Sequence, residues 1–263
     1  MKNEYIPFIS EIKEVIKHTD IEYTFRMTYE GDVKPGQFFE VSLPKFGEAP
    51  ISVSGIGKGT VDLTIRRVGK VTNEIFTNYV GDKLLLRGPY GNGFDVDKYK
   101  GKEITVVAGG TGLSPVRGVV EYFAENREEA ENFNLICGFK SPEDILFKDD
   151  LKLWEDKMNL ILTVDKAHEG YAGNTGLVTT FIPELEIKDI KNTAFIVVGP
   201  PMMMKFTVLE ILKRGVPEEN IWISHERKMC CGLGKCGHCK IDDTYICLDG
   251  PVFNYTKGKN LVD

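Results

Sequence analysis

The stretch Glu103-Ile104-Thr105-Val106-Val107-Ala108-Gly109-Gly110-Thr111-Gly112-Leu113-Ser114-Pro115 decides the fold. Its first six residues read as one continuous apolar strand, the habit of strands buried on both faces of a parallel sheet. Gly109 to Gly112 form a turn. Ser114 and Pro115 then open a helix, with Ser114 expected at the N-cap and Pro115 at the first helical position, where a missing N–H costs nothing. Val116, Val119, Val120 and Phe123 follow at i, i+3, i+4 and i+7, which gives that helix one apolar face.

Downstream the pattern repeats. Asn134–Gly138, Leu160–Val164, Ala194–Val198 and Ile221–Ser224 read as short strands. Ser141-Pro142 is expected to cap a helix, and another helix runs through Phe206, Leu209 and Leu212 to stop at Gly215. Strands alternating with helices predict a doubly wound parallel sheet with right-handed crossovers. The Gly109–Ser114 turn joins a strand end to a helix N-terminus, where free N–H groups and the helix dipole favour a pyrophosphate. A second turn, Gly199-Pro200-Pro201, ends a later strand. One glycine-rich turn can be a mere tight connection. Two at the carboxyl edge of one sheet favour a nucleotide, although the spacing is not G-x-G-x-x-G.

Upstream, residues 1–98 read as all-β. Phe8–Tyr29 carries alternation with Tyr23, Phe25 and Met27 on one side, and Gly36–Leu43, Ile51–Ser54, Val61–Arg66 and Lys83–Arg87 are further strands. A turn is expected around Gly55, Gly57 and Gly59, and a helix at Asn73–Tyr79. Many short strands with close turn signals predict a small antiparallel barrel. The chain therefore divides into a barrel (1–98), an α/β domain (99–224) and a cysteine lobe (225–263).

That lobe holds five of the six cysteines. Cys231, Cys236, Cys239 and Cys247 are spaced C-x4-C-x2-C-x7-C, and the first three match plant-type [2Fe–2S] spacing. Gly232, Gly234 and Gly237 suit a loop that wraps a cluster. Disulfides would need an oxidising compartment, and structural zinc usually takes paired C-x2-C units, of which there is one. Buried thiols remain the third alternative. Cys230 is the spare, Cys137 reads as a buried strand residue, and His238 as a solvent-facing loop residue. His18, His168 and His225 are scattered and read as structural or exposed. A cluster of this kind takes one electron at a time, whereas a nicotinamide delivers two as hydride. A flavin is the usual converter, and the barrel is the place for it.

Composition bounds the partners. Net charge is −6 with acids and bases mixed, which argues against a nucleic-acid surface. The first residues lack the apolar core of a signal peptide, and no apolar run is long enough to span a bilayer, so a cytoplasmic setting is expected.

In order of parts, the chain resembles the ferredoxin–NADP reductase superfamily, and within it the electron-transfer subunits related to that of dihydroorotate dehydrogenase. Ala49–Ser54, Ile65–Thr72, Gly109–Gly112 and Cys231–Phe253 are most similar to the B-subunit family of anaerobic sulfite reductases. The resemblance implies FAD on Pro50, Ile51, Ser52, Val53 and Ser54, with Ser52 reaching the reactive edge of the flavin as the catalytic residue. It implies that Ile65, Arg66, Gly69, Lys70, Val71 and Thr72 hold the ribityl and phosphate groups. Gly109, Gly110, Thr111, Gly112, Leu113 and Ser114 would hold the nicotinamide nucleotide's pyrophosphate, and Gly199, Pro200 and Met202 would lie beside the nicotinamide. Cys231, Cys236, Cys239 and Cys247 would hold the [2Fe–2S] cluster.

The implied activity is NADH oxidation, with NADPH less favoured. Electrons would pass through FAD and the cluster to a sulfite-reducing catalytic subunit, with a ferredoxin-like subunit as a further partner. Related partners define the alternatives: dihydroorotate dehydrogenase, sulfhydrogenase or hydrogenase, and ferredoxin–NADP transhydrogenase. A non-redox scaffold subunit with structural zinc is the alternative of a different class. Two positions depart from the family pattern: Ala49 replaces an arginine, and Val198 replaces a cysteine. Arg66 or Lys70 is expected to supply the charge missing at Ala49.

Overall fold

The structure is a computed structural model and describes residues 3–79 and 82–261. Six strands form a closed antiparallel barrel: β1 (Phe8–Lys17), β2 (Glu22–Thr28), β3 (Phe38–Leu43), β4 (Gly47–Gly57), β5 (Thr60–Arg66) and β6 (Lys83–Tyr90), in the order β1-β2-β5-β4-β3-β6. Helix α1 (Lys70–Asn78) lies between β5 and β6 in the chain and starts three residues before the expected Asn73. The strands alternate as sheet geometry requires. Phe25 and Met27 of β2, Phe39, Val41 and Leu43 of β3, and Leu84 and Leu86 of β6 fill the interior with Ile75 of α1. Gly55 is not in a turn: it sits in β4, where the β4–β5 register shifts between Val53 and Gly55.

Seven strands form the second sheet: β7 (Glu103–Gly109), β8 (Asn132–Phe139), β9 (Asn159–Val164), β10 (Asn174–Thr175), β11 (Thr193–Val198), β12 (Ile221–Ser224) and β15 (Val252–Asn254). Their order is β10-β9-β8-β7-β11-β12-β15, and the pairs from β10 to β12 are parallel. The accompanying helices are α2 (Leu113–Glu125), α3 (Lys148–Trp154) and α4 (Pro201–Lys213). The cysteine loop carries the short β13 (Lys240–Ile241), β14 (Thr244–Tyr245) and α5 (Ile246–Asp249), and α6 (Tyr255–Gly258) follows β15.

Two expected helix starts are corrected. Helix α2 begins at Leu113, because a 3-10 turn over Gly110–Gly112 winds straight into it; Gly112 is the N-cap, and Ser114 and Pro115 lie inside the first turn. Ser141-Pro142 opens only a 3-10 turn, Pro142–Asp144, and α3 waits until Lys148. Between them Ile145, Leu146 and Phe147 are buried, and this apolar run packs inward instead of extending a helix. On α4, Phe206 and Leu209 are exposed, whereas Thr207, Val208 and Ile211 are buried. That helix is apolar nearly all round, so its periodicity does not choose a face.

The chain forms two compact units. The first joins the segment ending at Phe94 with His225–Val252; the second joins Asp95–Ser224 with the segment beginning at Phe253. The cysteine loop thus belongs with the barrel. No helix among the described residues is long and apolar enough to cross a membrane.

Candidate cofactor-binding sites

In the sheet unit, β7 and β11 are neighbours, with Ala108 opposite Val198. From β7 the chain proceeds through β8 and β9 on one side; β11 leads to β12 on the other. Their carboxyl ends therefore form the switch point where doubly wound sheets bind ligands. The two glycine turns meet there. A β-carbon on Gly109 would stand 2.3 Å from the Met203 sulfur, and one on Gly112 would stand 2.5 Å from the Val198 carbonyl oxygen. Gly110 has φ +54°, in the left-handed region that favours glycine. Gly199 and Thr111 are half-buried, Pro200 and Met202 are exposed, and Leu113 is packed in the interior.

Ser114 is the informative residue. It is buried in the first turn of the 13-residue α2, and its hydroxyl has no hydrogen-bond partner in the protein. A buried hydroxyl without a partner is costly, and here it joins the free N–H groups of a helix N-terminus. These groups fit an anionic oxygen of a nucleotide pyrophosphate.

In the barrel unit, Val53 faces the interior, and Ala49 and Ile51 pack against it. The alternation puts Glu48, Pro50 and Ser52 on the outer face of β4. Ser54 is buried; its hydroxyl donates to the Asp62 carbonyl and accepts from Thr64 Oγ1 at 2.7 Å. Ile65 lies in the barrel interior. Arg66 pairs with Glu22 at 3.0 Å. Gly69 caps α1, and Thr72 Oγ1 accepts from the Val68 and Gly69 N–H groups. Val71 and Thr72 are buried at the start of α1. Exposed Arg66, Arg67 and Lys70 thus lead into a helix N-terminus, a donor set that fits the diphosphate of a flavin dinucleotide.

The cysteine loop is arranged around its sulfurs. Leu233 and Lys235 N–H groups approach Cys231 Sγ at 3.4 Å, and Gly234 N–H approaches Cys247 Sγ at 3.3 Å. Gly232, Gly234 and Gly237 all have positive φ, as this wrapping requires. Burial alone would raise the Cys231 thiol, but the backbone donors Leu233, Lys235 and Cys236 bring it down to about 6. Burial pushes Cys247 up to about 12. Its thiol neighbours those of Cys239 and Cys231, and Cys231 neighbours Cys236. The four thiols therefore share one neighbourhood. Among the described residues, no group of three or more His, Cys, Asp or Glu is disposed around a single metal ion. N–H groups aimed at the sulfurs of Cys231 and Cys247 fit the thiolates of an iron–sulfur cluster. His238 and Cys236 are exposed, Cys230 is half-buried, and Cys137 is fully buried in β8.

Sequence reasoning passed over a charged group beneath this loop. Arg87, 3% exposed, donates to both carboxylate oxygens of Glu48 and to the carbonyls of Cys230 and Cys231. Glu40 is fully buried nearby on β3, and neither carboxylate oxygen has a hydrogen-bond partner. Burial raises Glu40 to about 7, against the attraction of Arg87. The available signal was a charge inside each apolar run: Leu84-Leu85-Leu86-Arg87 and Phe38-Phe39-Glu40-Val41.

Comparison with known proteins places these features in a family. Residues 106–208 match the oxidoreductase NAD-binding domain, and residues 226–257 match the iron–sulfur cluster binding domain of dihydroorotate dehydrogenase B. The gamma subunit of sulfhydrogenase 1 from Pyrococcus furiosus is 36% identical, over 96% of this chain and 92% of that one. The chain belongs to the ferredoxin–NADP reductase-like family of electron-transfer subunits. The dihydroorotate dehydrogenase B (NAD(+)) electron transfer subunit of Clostridium perfringens is 31% identical, over 97% of this chain and 98% of that one. The fold matches an NADH-dependent reduced ferredoxin–NADP oxidoreductase solved in a study of flavin-based electron bifurcation, at TM-score 0.79 and 26% identity, covering 94% of this chain and 88% of that one. As a member of this family the protein is an oxidoreductase with an NAD-binding domain and an iron–sulfur domain on a flavin-reductase fold.

Proposed function

We propose that the chain is the electron-input subunit of a sulfite-reducing enzyme, taking hydride from NADH and passing single electrons onward. FAD would supply the conversion between two-electron and one-electron chemistry. Residues 1–98 would hold the flavin, residues 99–224 the nicotinamide nucleotide, and the segment from 225 the cluster. Pro50, Ile51, Ser52, Val53 and Ser54 would form the flavin strand, with the Ser52 hydroxyl as the group at the flavin's reactive edge. Arg66, Gly69, Lys70, Val71 and Thr72 would bind its phosphates, Ile65 shaping the strand from inside the barrel. Gly109–Ser114 would bind the NADH pyrophosphate, and Gly199, Pro200 and Met202 would border the nicotinamide. Cys231, Cys236, Cys239 and Cys247 would hold a [2Fe–2S] cluster, a reading supported by their spacing and by the N–H groups aimed at the sulfurs of Cys231 and Cys247.

The observation that carries the NADH reading is Ser114, a buried hydroxyl without a partner at the sheet's switch point. The sulfite-reducing partner rests on the similarity of Ala49–Ser54, Ile65–Thr72 and Cys231–Phe253 to sulfite reductase B subunits. A ferredoxin-like subunit would stand between the two, in the cytoplasm. The curated relatives favour a second partner class, a hydrogenase-type or dihydroorotate-oxidising catalytic subunit.

The test is anaerobic purification with metal and flavin analysis, followed by NADH titration. Two irons with labile sulfide, one FAD and NADH-bleachable flavin absorbance are expected; absence of flavin, or flavin that NADH leaves oxidised, would sink the reading. NADH-dependent sulfide formation by the complex purified from native extract tests the partner, and hydrogen-dependent or dihydroorotate-dependent NAD reduction without sulfite turnover would select the second class.

A further inference from the structure

We infer that Arg87 and Tyr90 are positioning residues that fix the cysteine loop against the barrel face carrying the Pro50–Ser54 strand. The inference rests on the flavin and cluster assignments proposed above.

Strand β3 lies between β4 and β6. Phe38 pairs with Ser52 on one side and Tyr90 on the other; Glu40 pairs likewise with Pro50 and Arg87. Two cross-strand rows result, Ser52–Phe38–Tyr90 and Pro50–Glu40–Arg87, each crossing two strand spacings, roughly 10 Å. A regular strand would send residues three apart to opposite faces. The β3–β6 register shifts between Phe38 and Glu40, with one extra residue on β6, and this lets Arg87 and Tyr90 share a face.

Both rows end on the cysteine loop. A β-carbon on Gly232, which has φ +72°, would stand 2.4 Å from the Tyr90 ring, so the ring lies directly on the loop backbone. Phe38 and Tyr90 have ring centroids 5.8 Å apart. Arg87 Nη1 donates to the Cys231 carbonyl at 2.6 Å and to the Tyr90 hydroxyl at 3.1 Å. Its Nη2 donates to the Cys230 carbonyl at 2.5 Å and to Glu48 Oε2 at 2.5 Å, and its Nε to Glu48 Oε1 at 2.8 Å. Tyr90 in turn donates to the Glu4 carbonyl at 2.7 Å. One planar guanidinium therefore joins β6, the flavin strand β4 and the backbone of a cluster cysteine. A lysine keeps the charge but cannot make this fork.

The test compares wild type with Arg87→Gln, Arg87→Lys, Tyr90→Phe and Glu48→Gln, all purified anaerobically as the full chain. NADH should bleach flavin in Arg87→Gln at the wild-type rate. Cluster reduction by NADH should slow by about tenfold or more, as expected for a displaced redox centre, and the EPR spectrum of the dithionite-reduced cluster should shift or broaden. Arg87→Lys should recover only part of both losses. Hydrogen exchange across residues 229–236 should rise in Arg87→Gln while α2 stays protected. A wild-type cluster rate and spectrum in Arg87→Gln would overturn the inference. If that variant fails to load iron, Tyr90→Phe and Glu48→Gln decide it, and wild-type rate and spectrum in both would reject it. Failure of NADH to bleach wild-type flavin would instead reject the functional reading. The exchange measurement needs neither NADH nor turnover, and unchanged exchange across 229–236 would still overturn the positioning claim.

Discussion

Gly112 lies against Val198 so closely that a β-carbon on the glycine would stand 2.5 Å from the valine's carbonyl oxygen. Two glycine turns far apart in sequence are thereby one feature, the joined carboxyl ends of β7 and β11. Val198, where the resemblance would put a cysteine, is an apolar, buried strand end.

Gly112→Ala and Ser114→Ala should separate structure from binding at this turn. The alanine at 112 meets backbone and should cost about 1–3 kcal/mol, the usual cost of overpacking. Ser114→Ala removes a hydroxyl that has no protein partner, so thermal stability should stay the same or rise. NADH affinity should fall by about tenfold, the worth of a hydrogen bond to a charged group. Calorimetric melting and NADH titration of both variants check this, and an unchanged Kd in Ser114→Ala would remove the hydroxyl from the binding site.

Glu40 should leave a pH signature in stability. Burial raises its carboxyl from 4.5 to about 7, so between those values the folded chain binds more protons than the unfolded chain. Its contribution to stability therefore falls as pH rises through that window, by about 3 kcal/mol in all, and stays low above it. Glu40→Gln has no proton to lose. Its stability relative to wild type should improve from pH 5 to pH 8, read from denaturant midpoints at each pH; a constant difference would show that Glu40 is ionised throughout.

Cys239→Ser should abolish the cluster while leaving NADH-dependent flavin bleaching in place. Cys239 is 1% exposed, and its sulfur accepts the Cys247 N–H at 3.5 Å. Iron analysis together with stopped-flow flavin absorbance gives the answer. Loss of flavin reduction in a folded, flavin-loaded variant would reverse the proposed order of electron flow.

Lys235 offers a handle on partner docking. Its side chain is exposed at the loop, with Nζ 5.4 Å from the Tyr5 ring centroid. Lys235→Glu should lower partner-dependent turnover several-fold and flatten its response to salt, because rim charges act on association rate and salt screens the attraction they supply. NADH-dependent flavin bleaching should not change. Turnover equal to wild type at low salt would remove Lys235 from the docking surface.

Five of the seven strands of the sheet were legible to within a residue or two, as Glu103–Ala108 against the observed Glu103–Gly109 illustrates, whereas the short edge strands β10 and β15 carried no readable pattern. The barrel was legible too, through the alternation of Tyr23, Phe25 and Met27 and the close spacing of turn signals. Helix starts were read less well. Ser114-Pro115 and Ser141-Pro142 are equivalent in local text, yet one pair lies inside a helix and the other opens an isolated turn. The residues downstream of each pair make the difference. Val116 and Val119 pack inward on a helical period, whereas Ile145, Leu146 and Phe147 pack inward as a run.

The sequence by itself determined the order of parts, the two glycine turns and the cysteine spacing, because periodicity, backbone freedom and ligand spacing are local properties of the chain. Tertiary structure decided the rest. That Ser114 has no partner depends on every group packed around it, and that Arg87 reaches Glu48, Cys230 and Cys231 depends on a register shift between β3 and β6 and on a loop more than half the chain away. Cross-strand register couples residues that no local pattern connects, so the clamp under the cysteine loop exists only in the folded chain.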